Sequence, residues 1–513
     1  MQPSSPPERT RARRRARPAG PIAATALLGT LLASVVALTG TARADGADPA
    51  AVAARHGFSP DVLGVMLFDP ATGEVLAQHG ADRPFIPAST TKVTTALAAL
   101  EILGPGHRFA TTLLATGEVT DGTLHGDLQL RGGGDPTLDT DGLRELVAGL
   151  RAAGIRRVAG TFCFDESLFP RAAEIDLLQP ASVQYNPAVS ALSVNYNRVE
   201  LRWRRDGQGR FSAKVLSPAD GGALPVRGIA TGAFTGGALD PRIDFVFAPE
   251  PSPRWLLSPR LAARGSAFLP VKGDPGPVAA ELLATLAERD GIVLPEARRC
   301  SAPAGAREIA RHESAPLAEV VTGLLHYSNN LTAELTGLAA SHRLAGSGLA
   351  LEPSARRLAA WWQDRLPETS FAGFVAANHS GLSSMTRHTP RQMAAVLRYG
   401  AAGAAGVRLQ DLLPTRDLGE NGASGGAPRD DAPGTAVRAK SGTLLWADGL
   451  VGFLTTRRGR ELGFVILLTD ADARARLDAE RDTRIAASPP EATDWTGRAK
   501  ALERDLVARW SAQ

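Results

Sequence analysis

Two lysines in this 513-residue chain lie in short segments whose side chains could activate a hydroxyl group. Lys and Arg together number 57, and only five of them are Lys, at positions 92, 214, 272, 440 and 500. An Arg side chain stays protonated in proteins, whereas a Lys amine can lose its proton when it is buried or lies near other cations. In a chain that uses Arg for nearly every cation, the Lys positions are therefore the first candidates for a base.

The first candidate pair is Ser89 and Lys92, three residues apart at the start of a predicted helix. Apolar residues follow at helical spacing, namely Val93, Leu97 and Leu100. The pair lies on one face of the first turns, so a neutral Lys92 could take the proton of Ser89 and make it a nucleophile. The alternative is a Ser that caps the helix beside a solvent-exposed Lys, because S-x-x-K alone is a common spacing.

The second candidate pair is Ser328 and Asn330, in a predicted turn between two helices. The helix before the turn covers 317–325, and the helix after it has an apolar face formed by Leu331, Leu335 and Leu338. The hydroxyl could relay a proton, and the amide could hold a substrate carbonyl group. Taken alone, the segment is more typical of residues that cap the second helix.

The third segment is Lys440-Ser441-Gly442-Thr443, at the start of an extended stretch. Two further apolar runs follow, and the pattern predicts three antiparallel strands that end with 450–454 and 464–468. Gly442 lacks a side chain where another backbone could approach the strand. A peptide substrate could add there as an extra strand, with Lys440 bound to its carboxylate. The alternative is an ordinary strand with a Lys that faces solvent.

Together the three segments form a known signature, because S-x-x-K, S-x-N and K-[ST]-G in this order are typical of penicillin-recognising serine acyltransferases. The chain resembles the D-alanyl-D-alanine carboxypeptidase/endopeptidase family, the class C low-molecular-mass penicillin-binding proteins. The likeness covers about 46–470, and similar segments include Phe85–Ser89, Gly126–Leu138, Ser193–Asn197 and Ser380–Ser383. In two places the chain departs from the family pattern, with Ser441 where Thr is usual and Asn378 where Asp is expected. The second departure puts in doubt a role for a carboxylate there.

The resemblance implies an α+β fold. The expected catalytic part is a transpeptidase/β-lactamase-like domain, an antiparallel sheet flanked by helices, interrupted by a long, mostly β insertion of one or two domains. The expected boundaries are 45–111 and 291–513 for the catalytic part and 112–290 for the insertion. The residues themselves predict a first strand pair at Val62–Phe68 and Glu74–Ala77, and a polar segment at 471–494 before a final helix from Trp495 to Trp510.

The resemblance also implies the activity, a serine-type D-alanyl-D-alanine carboxypeptidase that is also an endopeptidase. It assigns catalysis to Ser89, Lys92 and Ser328, and substrate binding to Asn330, Lys440, Ser441, Gly442 and Thr443. The backbone N–H groups of Ser89 and Thr443 are the expected oxyanion-hole donors. The expected partners are peptidoglycan peptides, with β-lactam antibiotics as covalent inhibitors, and no metal or other cofactor is expected.

Two other functions share these motifs. A β-lactamase is one, but the Glu-x-x-Leu-Asn segment of class A enzymes is absent, and the 239 residues between Ser89 and Ser328 exceed the usual separation. A catalytically inactive peptidoglycan-binding or sensor module is the other, and the three intact motifs argue against it.

The N-terminal residues 1–44 predict a signal peptide. A basic block at Arg9–Arg17 precedes an uncharged apolar run, which ends at Ala42-Arg43-Ala44, and this order is typical of secretory signals. An uncleaved membrane anchor is the alternative. We therefore expect an exported, periplasmic or otherwise extracytoplasmic protein with no membrane span after cleavage.

Charge and cysteine content narrow the function further. Residues 1–44 contain seven Arg and one Glu, so their charge of +6 exceeds the +4 of the whole chain, and the remainder is slightly acidic. A slightly acidic body argues against nucleic acid as a partner. Cys163 and Cys300 are the only cysteines, and the sequence leaves open whether they form a disulfide or stay free.

Overall fold

The computed structural model describes residues 48–219, 222–236, 239–301, 305–416 and 436–513. The predicted signal peptide, 1–44, lies outside the described residues. Within these ranges, no helix is both long and apolar enough to cross a bilayer.

The described residues form eleven α-helices, three short 3-10 turns and twenty-one strands. The helices are α1 (Pro49–Arg55), α2 (Thr91–Leu103), α3 (Thr140–Ala152), α4 (Gly276–Arg289), α5 (Leu317–Tyr327), α6 (Asn330–Ala345), α7 (Leu351–Arg365), α8 (Pro390–Ala401), α9 (Leu409–Leu412), α10 (Ala471–Glu480) and α11 (Pro490–Ser511). The 3-10 turns are Pro60–Val62, Ala88–Thr90 and Asn195–Asn197. The strands are β1 (Leu63–Phe68), β2 (Val75–His79), β3 (Ala110–Ala115), β4 (Glu118–Thr120), β5 (Thr123–His125), β6 (Leu128–Arg131), β7 (Arg157–Val158), β8 (Phe162–Asp165), β9 (Arg198–Arg205), β10 (Phe211–Ala219), β11 (Gly222–Pro225), β12 (Ala230–Ala233), β13 (Phe245–Ala248), β14 (Arg254–Leu257), β15 (Arg264–Pro270), β16 (Arg298–Arg299), β17 (Arg307–Glu313), β18 (Thr415–Arg416), β19 (Val437–Leu444), β20 (Ala447–Thr455) and β21 (Glu461–Thr469).

An antiparallel sheet built from both ends of the chain carries the third motif. Its strand order is β18-β19-β20-β21-β1-β2. β1 and β21 are nearly continuous apolar runs because both faces of the sheet are covered. Along β21, Val465 and Leu467 pack into one core with α2 and α8, while Phe464 and Ile466 pack into another with α11. The sheet therefore lies between two helical layers, as the resemblance implied.

Four smaller sheets follow between α2 and α5. Their strand orders are β16-β8-β6-β3-β17, β11-β10-β9-β15, β12-β14-β13 and β4-β5-β7. Helices α3 and α4 pack with these sheets around one apolar core, so the stretch is strand-rich but not purely β. The expected insertion limits, 112–290, stay a prediction. The pairing of β17 with β3 extends the shared sheet to Glu313, beyond the expected boundary at 290.

A disulfide between Cys163 and Cys300 answers the question that the sequence left open. The bonded residues lie 137 positions apart in the chain, and their Cα atoms are 5.8 Å apart. The bond joins β8 to Cys300, which directly follows β16. The strands β8 and β16 also pair in parallel.

The strands and helices predicted around the motifs are present, with shifts of a few residues at their ends. The predicted first strand pair is β1 and β2, and the three strands around Lys440 are β19, β20 and β21. The final helix begins at Pro490, five residues before the predicted Trp495. The polar segment 471–494 contains an additional helix, α10, that hydropathy did not indicate because this helix has no strong apolar face.

Candidate active site

Ser89 lies in the tight 3-10 turn that precedes α2. Ala88, just before it, has a positive φ of 47°, an uncommon conformation for a residue with a side chain. Helix α2 begins at Thr91, and the Ser89 hydroxyl does not cap it but accepts a hydrogen bond from Lys92 Nζ. The capping interpretation of Ser89 is therefore wrong, because the turn directs the hydroxyl towards Lys92.

Lys92 is completely buried, and its ammonium nitrogen connects three segments of the chain. Nζ donates to Ser89 Oγ at 2.8 Å, to Asn330 Oδ1 at 2.7 Å and to the carbonyl oxygen of Ser380 at 2.8 Å. Burial lowers the pKa of Lys92 to about 7, because removal from water disfavours the charged form. The nearby carboxylate of Glu334 acts in the opposite direction and limits this decrease in pKa.

Glu334 is a buried carboxylate that the sequence did not single out. Its two oxygens accept hydrogen bonds from the backbone N–H groups of His379 and Ser380, both at 2.9 Å. Burial raises the pKa of Glu334, while these hydrogen bonds favour its charged form. Glu334 lies one turn after Asn330 on α6. A charged residue within an apolar helix was the only feature of the sequence that could have indicated its role.

The second motif forms the junction between α5 and α6. Ser328 ends α5 in the left-handed region, with φ 59° and ψ 31°, and the side chain of Asn329 caps α6 by accepting from the N–H of Thr332. Asn330 points inward, and its Nδ2 donates to the carbonyl oxygen of Tyr185 at 2.9 Å. Within the described part of the chain, the half-buried Ser328 hydroxyl makes no hydrogen bond. The cap predicted as an alternative is thus Asn329, which leaves Ser328 and Asn330 free of that structural role.

Two glycines let other segments approach the turn that holds Ser89. A Cβ atom on Gly442 of β19 would lie 2.6 Å from the Ser89 nitrogen and 2.7 Å from the Pro87 oxygen. A Cβ atom on Gly381 would lie 1.9 Å from the Ala88 oxygen. All three distances are too short for real contacts, so these positions require glycine. The sequence predicted that another backbone approaches Gly442, and this backbone is the turn that holds Ser89.

Lys440 is buried on β19 beside other cations. Its Nζ donates to the carbonyl oxygen of Ser441 at 2.7 Å, and no carboxylate among the described residues pairs with it. Burial and the charges of Lys92, Arg416 and Lys500 lower the pKa of Lys440 well below its ordinary value. The solvent-exposed alternative for Lys440 is therefore wrong, because the side chain lies under the strand rather than on its outer face.

Arg416 adds a second cation to this end of the site, and the sequence did not single it out. Its Nε donates to the carbonyl oxygen of Ala439 at 3.1 Å, and one of its terminal nitrogens donates to Ser441 Oγ at 3.1 Å. The short strand β18 holds it beside β19. Ser441, which replaces the usual Thr, thus keeps a hydroxyl in contact with a positive charge.

Thr443 completes the third motif on the other side of Gly442. Its hydroxyl donates to Asp448 Oδ1 at 2.6 Å across the pairing of β19 with β20. The side chain is thereby held, while the backbone at Gly442 and Thr443 runs past the turn with Ser89.

Asn378 stands where the family resemblance leads one to expect Asp. The side chain is buried, and its Oδ1 accepts from the N–H of Gly381 at 3.0 Å. An amide oxygen accepts this hydrogen bond as a carboxylate oxygen would. The turn that brings Ser380 to Lys92 therefore does not require a negative charge at position 378.

The three motifs therefore meet at one place although they are far apart in sequence. Lys92 is hydrogen-bonded to both Ser89 and Asn330, and Gly442 lies against the backbone of Ser89. The Ser89 hydroxyl therefore lies next to the buried Lys92 amine, whose pKa is lowered. The strand β19, with the cations Lys440 and Arg416, lies beside them. This arrangement suits nucleophilic attack on a carbonyl group of a peptide that carries a carboxylate.

The sequence pattern of the D-Ala-D-Ala carboxypeptidase 3 (S13) family matches residues 49–487. The chain belongs to this family. The match spans all three motifs, so the predicted family and its enzyme class, serine-type D-Ala-D-Ala carboxypeptidase, are confirmed. Within the S13 family the chain is similar to the D-alanyl-D-alanine carboxypeptidase of Actinomadura sp. (strain R39), with 29% identity over 439 residues, 79% of this chain and 77% of that one. It is also similar to a carboxypeptidase of Mycobacterium tuberculosis, with 28% identity over 470 residues, 87% and 85% of the two chains.

A solved structure confirms the predicted fold class. The structure of penicillin binding protein 4 (dacB) from Haemophilus influenzae matches with a TM-score of 0.72 and 21% identity, over 88% of this chain and 96% of that chain. A second structure of that protein, in complex with a β-lactam, matches with a TM-score of 0.70. This S13 chain therefore has the α+β architecture of penicillin-binding protein 4, with an inserted set of sheets between the two halves of its catalytic part.

Proposed function

We propose that this D-Ala-D-Ala carboxypeptidase of the S13 family cleaves peptidoglycan stem peptides through an acyl-enzyme on Ser89. The observation that carries the proposal is the position of Lys92, buried, with Nζ 2.8 Å from Ser89 Oγ and 2.7 Å from Asn330 Oδ1. The similarity to the D-alanyl-D-alanine carboxypeptidase of Actinomadura supports the substrate class.

Acylation begins when neutral Lys92 accepts the proton of the Ser89 hydroxyl. Ser89 Oγ then forms a bond to the carbonyl carbon that links the last two D-Ala residues. The negative charge that develops on the carbonyl oxygen is stabilised by the backbone N–H groups of Ser89 and Thr443. This assignment is consistent with the close approach of Gly442 to the Ser89 nitrogen.

Release of the terminal D-Ala breaks the C–N bond and requires a proton on the leaving amine. Ser328 passes this proton on from Lys92, since its hydroxyl is free of other hydrogen bonds in the described residues. Asn330 holds Lys92 and presents its amide at the same edge of the site. Water then attacks the acyl-enzyme, which frees the shortened peptide and returns a proton to Ser89.

The cations at β19 bind the terminal carboxylate of the substrate. Lys440 lacks an anionic partner among the described residues, and Arg416 already contacts Ser441 Oγ, so a carboxylate that enters between them gains charge-assisted hydrogen bonds. The negative charge of the substrate also favours the protonated form of Lys440. Binding is therefore expected to depend on a free carboxylate at the end of the peptide.

The same steps extend to cross-linked peptides and to β-lactams. In an endopeptidase reaction the leaving amine belongs to a neighbouring stem peptide instead of a free D-Ala. With a penicillin, the leaving group stays attached after the ring opens, so the acyl-enzyme persists. The Haemophilus influenzae structure with a bound β-lactam supports this inhibition.

The predicted signal sequence and the cell-wall substrate support an exported protein.

The direct test is intact-protein mass spectrometry after incubation with benzylpenicillin. We expect one covalent adduct on the wild type and none on Ser89→Ala. A matched control is Ser212→Ala, which removes the hydroxyl of an exposed Ser on β10 and is expected to keep the adduct. Digestion of purified muropeptides by the same proteins then identifies the bond that is cleaved.

Three results would contradict the proposal. An adduct that persists on Ser89→Ala would assign acylation to another residue. Sustained turnover of nitrocefin by the wild type, with no stable adduct, would indicate a β-lactamase. No adduct at all would indicate a binding module.

A further inference from the structure

Two buried carboxyl groups and a partly exposed lysine form a cluster behind the strand that carries Thr443. Asp448 comes from β20, and Lys500 and Glu503 come from α11. Lys500 Nζ lies 2.8 Å from Asp448 Oδ1 and 3.2 Å from Glu503 Oε2. The hydroxyl of Thr443 donates to Asp448 Oδ1 at 2.6 Å. We call Asp448, Lys500 and Glu503 the support cluster.

In the part of the chain that the structure describes, the hydrogen-bonding pattern leaves two buried carboxyl oxygens of the support cluster without a partner. Asp448 and Glu503 are 0% and 4% exposed at their side chains. Among the described residues, no donor reaches the buried atoms Asp448 Oδ2 and Glu503 Oε1, although the two carboxyl groups interact with each other. A single proton between these oxygens satisfies both, because a protonated carboxyl donates where an ionised one can only accept.

Burial raises the pKa of both carboxyl groups, but Asp448 lies closer to Lys500 and also accepts from Thr443, so the proton is assigned to Glu503. Burial and the neighbouring Asp448 carboxylate raise the pKa of Glu503 to about 8. With Asp448 ionised and Lys500 charged, the support cluster is then neutral overall. The loss of the proton above this pH leaves two buried carboxylates facing each other with one cation between them.

The support cluster is connected to the catalytic site through Thr443. Asp448 faces Thr443 in the pairing of β19 with β20, and the adjacent Gly442 lies against the Ser89 nitrogen. The segment of β19 that would supply the second oxyanion donor is thus held from behind by Asp448. The charge of Lys500 also lowers the pKa of Lys440.

We propose that Asp448 is a positioning residue for the acylation reaction, which fixes Thr443 through its hydroxyl while Lys500 and the protonated Glu503 fix Asp448. The proposal rests on the function proposed above, since it assigns a purpose to the oxyanion-hole segment. As pH rises through about 8, Glu503 loses its proton and repels Asp448. The support of Thr443 then weakens, and acylation slows.

The pH effect of the other charged groups near the support cluster can be distinguished from that of Glu503. Arg416 on β18 stays protonated, and Lys440 on β19 loses its proton as pH rises, which also weakens substrate binding. Replacement of Glu503 by Gln leaves the groups that lower the pKa of Lys440 in place, namely Lys92, Arg416 and Lys500. A decline caused by Lys440 would therefore persist in this variant, whereas a decline caused by Glu503 disappears.

The test is the rate of acylation by benzylpenicillin between pH 6 and about 9.5, with the maximal rate constant separated from the dissociation constant of the initial complex. For Asp448→Asn and Thr443→Val, we expect the rate constant to fall about 10-fold with little change in that dissociation constant, because misplaced oxyanion donors act on the transition state. The double variant is expected to lose no more than either single one. Glu503→Gln, whose amide still donates to Asp448, is expected to keep the wild-type rate at pH 7 and to lose the decline above pH 8.

The matched control is Asp505→Asn, which removes a carboxylate that pairs with Arg509 elsewhere on α11. It is expected to leave both the rate and the pH profile unchanged. A wild type that forms no adduct would overturn the proposed function itself. A wild type that is acylated, with Glu503→Gln showing the same decline above pH 8 or Thr443→Val showing an unchanged rate constant, would overturn only the role of the support cluster. The Glu503→Gln arm remains decisive even if Asp448→Asn does not fold.

Discussion

At the scale of single residues, burial assigns different chemistry to two amines that the sequence presents as similar. Lys92 is buried next to one carboxylate, Glu334, and its pKa decreases to about 7. Lys440 is buried next to cations and no paired carboxylate in the described residues, and its pKa is lowered well below its ordinary value. The first amine therefore suits a base at neutral pH, and the second suits a receptor for an anion supplied by the substrate.

The role of Lys92 predicts a specific pH dependence of acylation. A base must be unprotonated, so the acylation rate by benzylpenicillin should rise as pH passes through about 7, where Lys92 loses its proton, and reach its maximum before the decline expected above about 8. Lys92→Arg keeps the charge but cannot release a proton, and we expect its rate to fall at least about 10²-fold. Stopped-flow measurement of adduct formation from pH 5 upward checks this.

The control for this prediction is Lys214→Arg, the same exchange at an exposed position of β10, which is expected to keep the wild-type profile. A rate that does not vary between pH 5 and 8, or an active Lys92→Arg, would show that another group is the base.

At the scale of elements, the site depends on how closely three backbones approach each other. The turn with Ser89, the strand β19 and the turn before Leu382 come within contact distance because Gly442 and Gly381 carry no side chain. Helix α6 adds Asn330 from the opposite side. No single element contains a complete site, so the geometry is a property of their packing.

The packing of β19 on the turn predicts the effect of a single methyl group. In Gly442→Ala the added Cβ would lie 2.6 Å from the Ser89 nitrogen, so strand and turn must separate. A displacement of this kind near reacting atoms costs about 10²-fold in rate. We expect Gly442→Ala to remain folded by circular dichroism and to lose acylation by about that factor.

Gly497→Ala provides the comparison, since no heavy atom lies within 4 Å of the Cβ position on α11. Acylation at the wild-type rate is expected there, with equal or higher stability because Ala favours helix over Gly. Wild-type acylation by Gly442→Ala would refute the close packing of β19 against the turn.

At the scale of the whole molecule, the disulfide and the three motifs are associated with different sheets. The central sheet and its two helical layers hold the three motifs, whereas the disulfide between Cys163 and Cys300 lies in the strands between α2 and α5. The bond closes a segment of 137 residues, which restricts the unfolded chain.

This separation predicts that loss of the disulfide destabilises the protein without disabling the site. For the double variant Cys163→Ser/Cys300→Ser, we expect the free energy of unfolding to decrease by about 2–4 kcal/mol. Acylation at 25 °C should stay within about twofold of the wild type. Denaturant unfolding, followed with and without reductant, measures the first effect, and reductant should change the wild type but not the double variant. Equal stability of the two proteins, or a double variant that is folded but not acylated, would contradict this.

Much of the site could be predicted from the sequence alone. The order and spacing of the three motifs predicted Ser89, Lys92, Ser328 and Lys440 as site residues, because these residue types are needed together for one kind of chemistry, and the structure places Lys92 against Ser89. The apolar runs of β20 and β21 and the helical spacing after Lys92 predicted the elements that carry them, since periodicity follows from local backbone geometry.

Other features depended on contacts between segments far apart in the chain. The positions of Glu334, Arg416 and the support cluster could not be read from spacing, because a carboxylate becomes a buried partner only when another segment covers it. The extension of the inserted sheet to Glu313 likewise required the pairing of β17 with β3. Lys500 was one of only five lysines, and yet its partner Asp448 is 52 residues away.

The sequence by itself determined which groups are available for catalysis and in which kind of element each of them lies. Only the tertiary structure decided their protonation, because the pKa of an amine or a carboxyl group depends on the water that is removed and the charges that are brought near. Both are set by the packing of distant segments, and local sequence patterns carry no information about that packing.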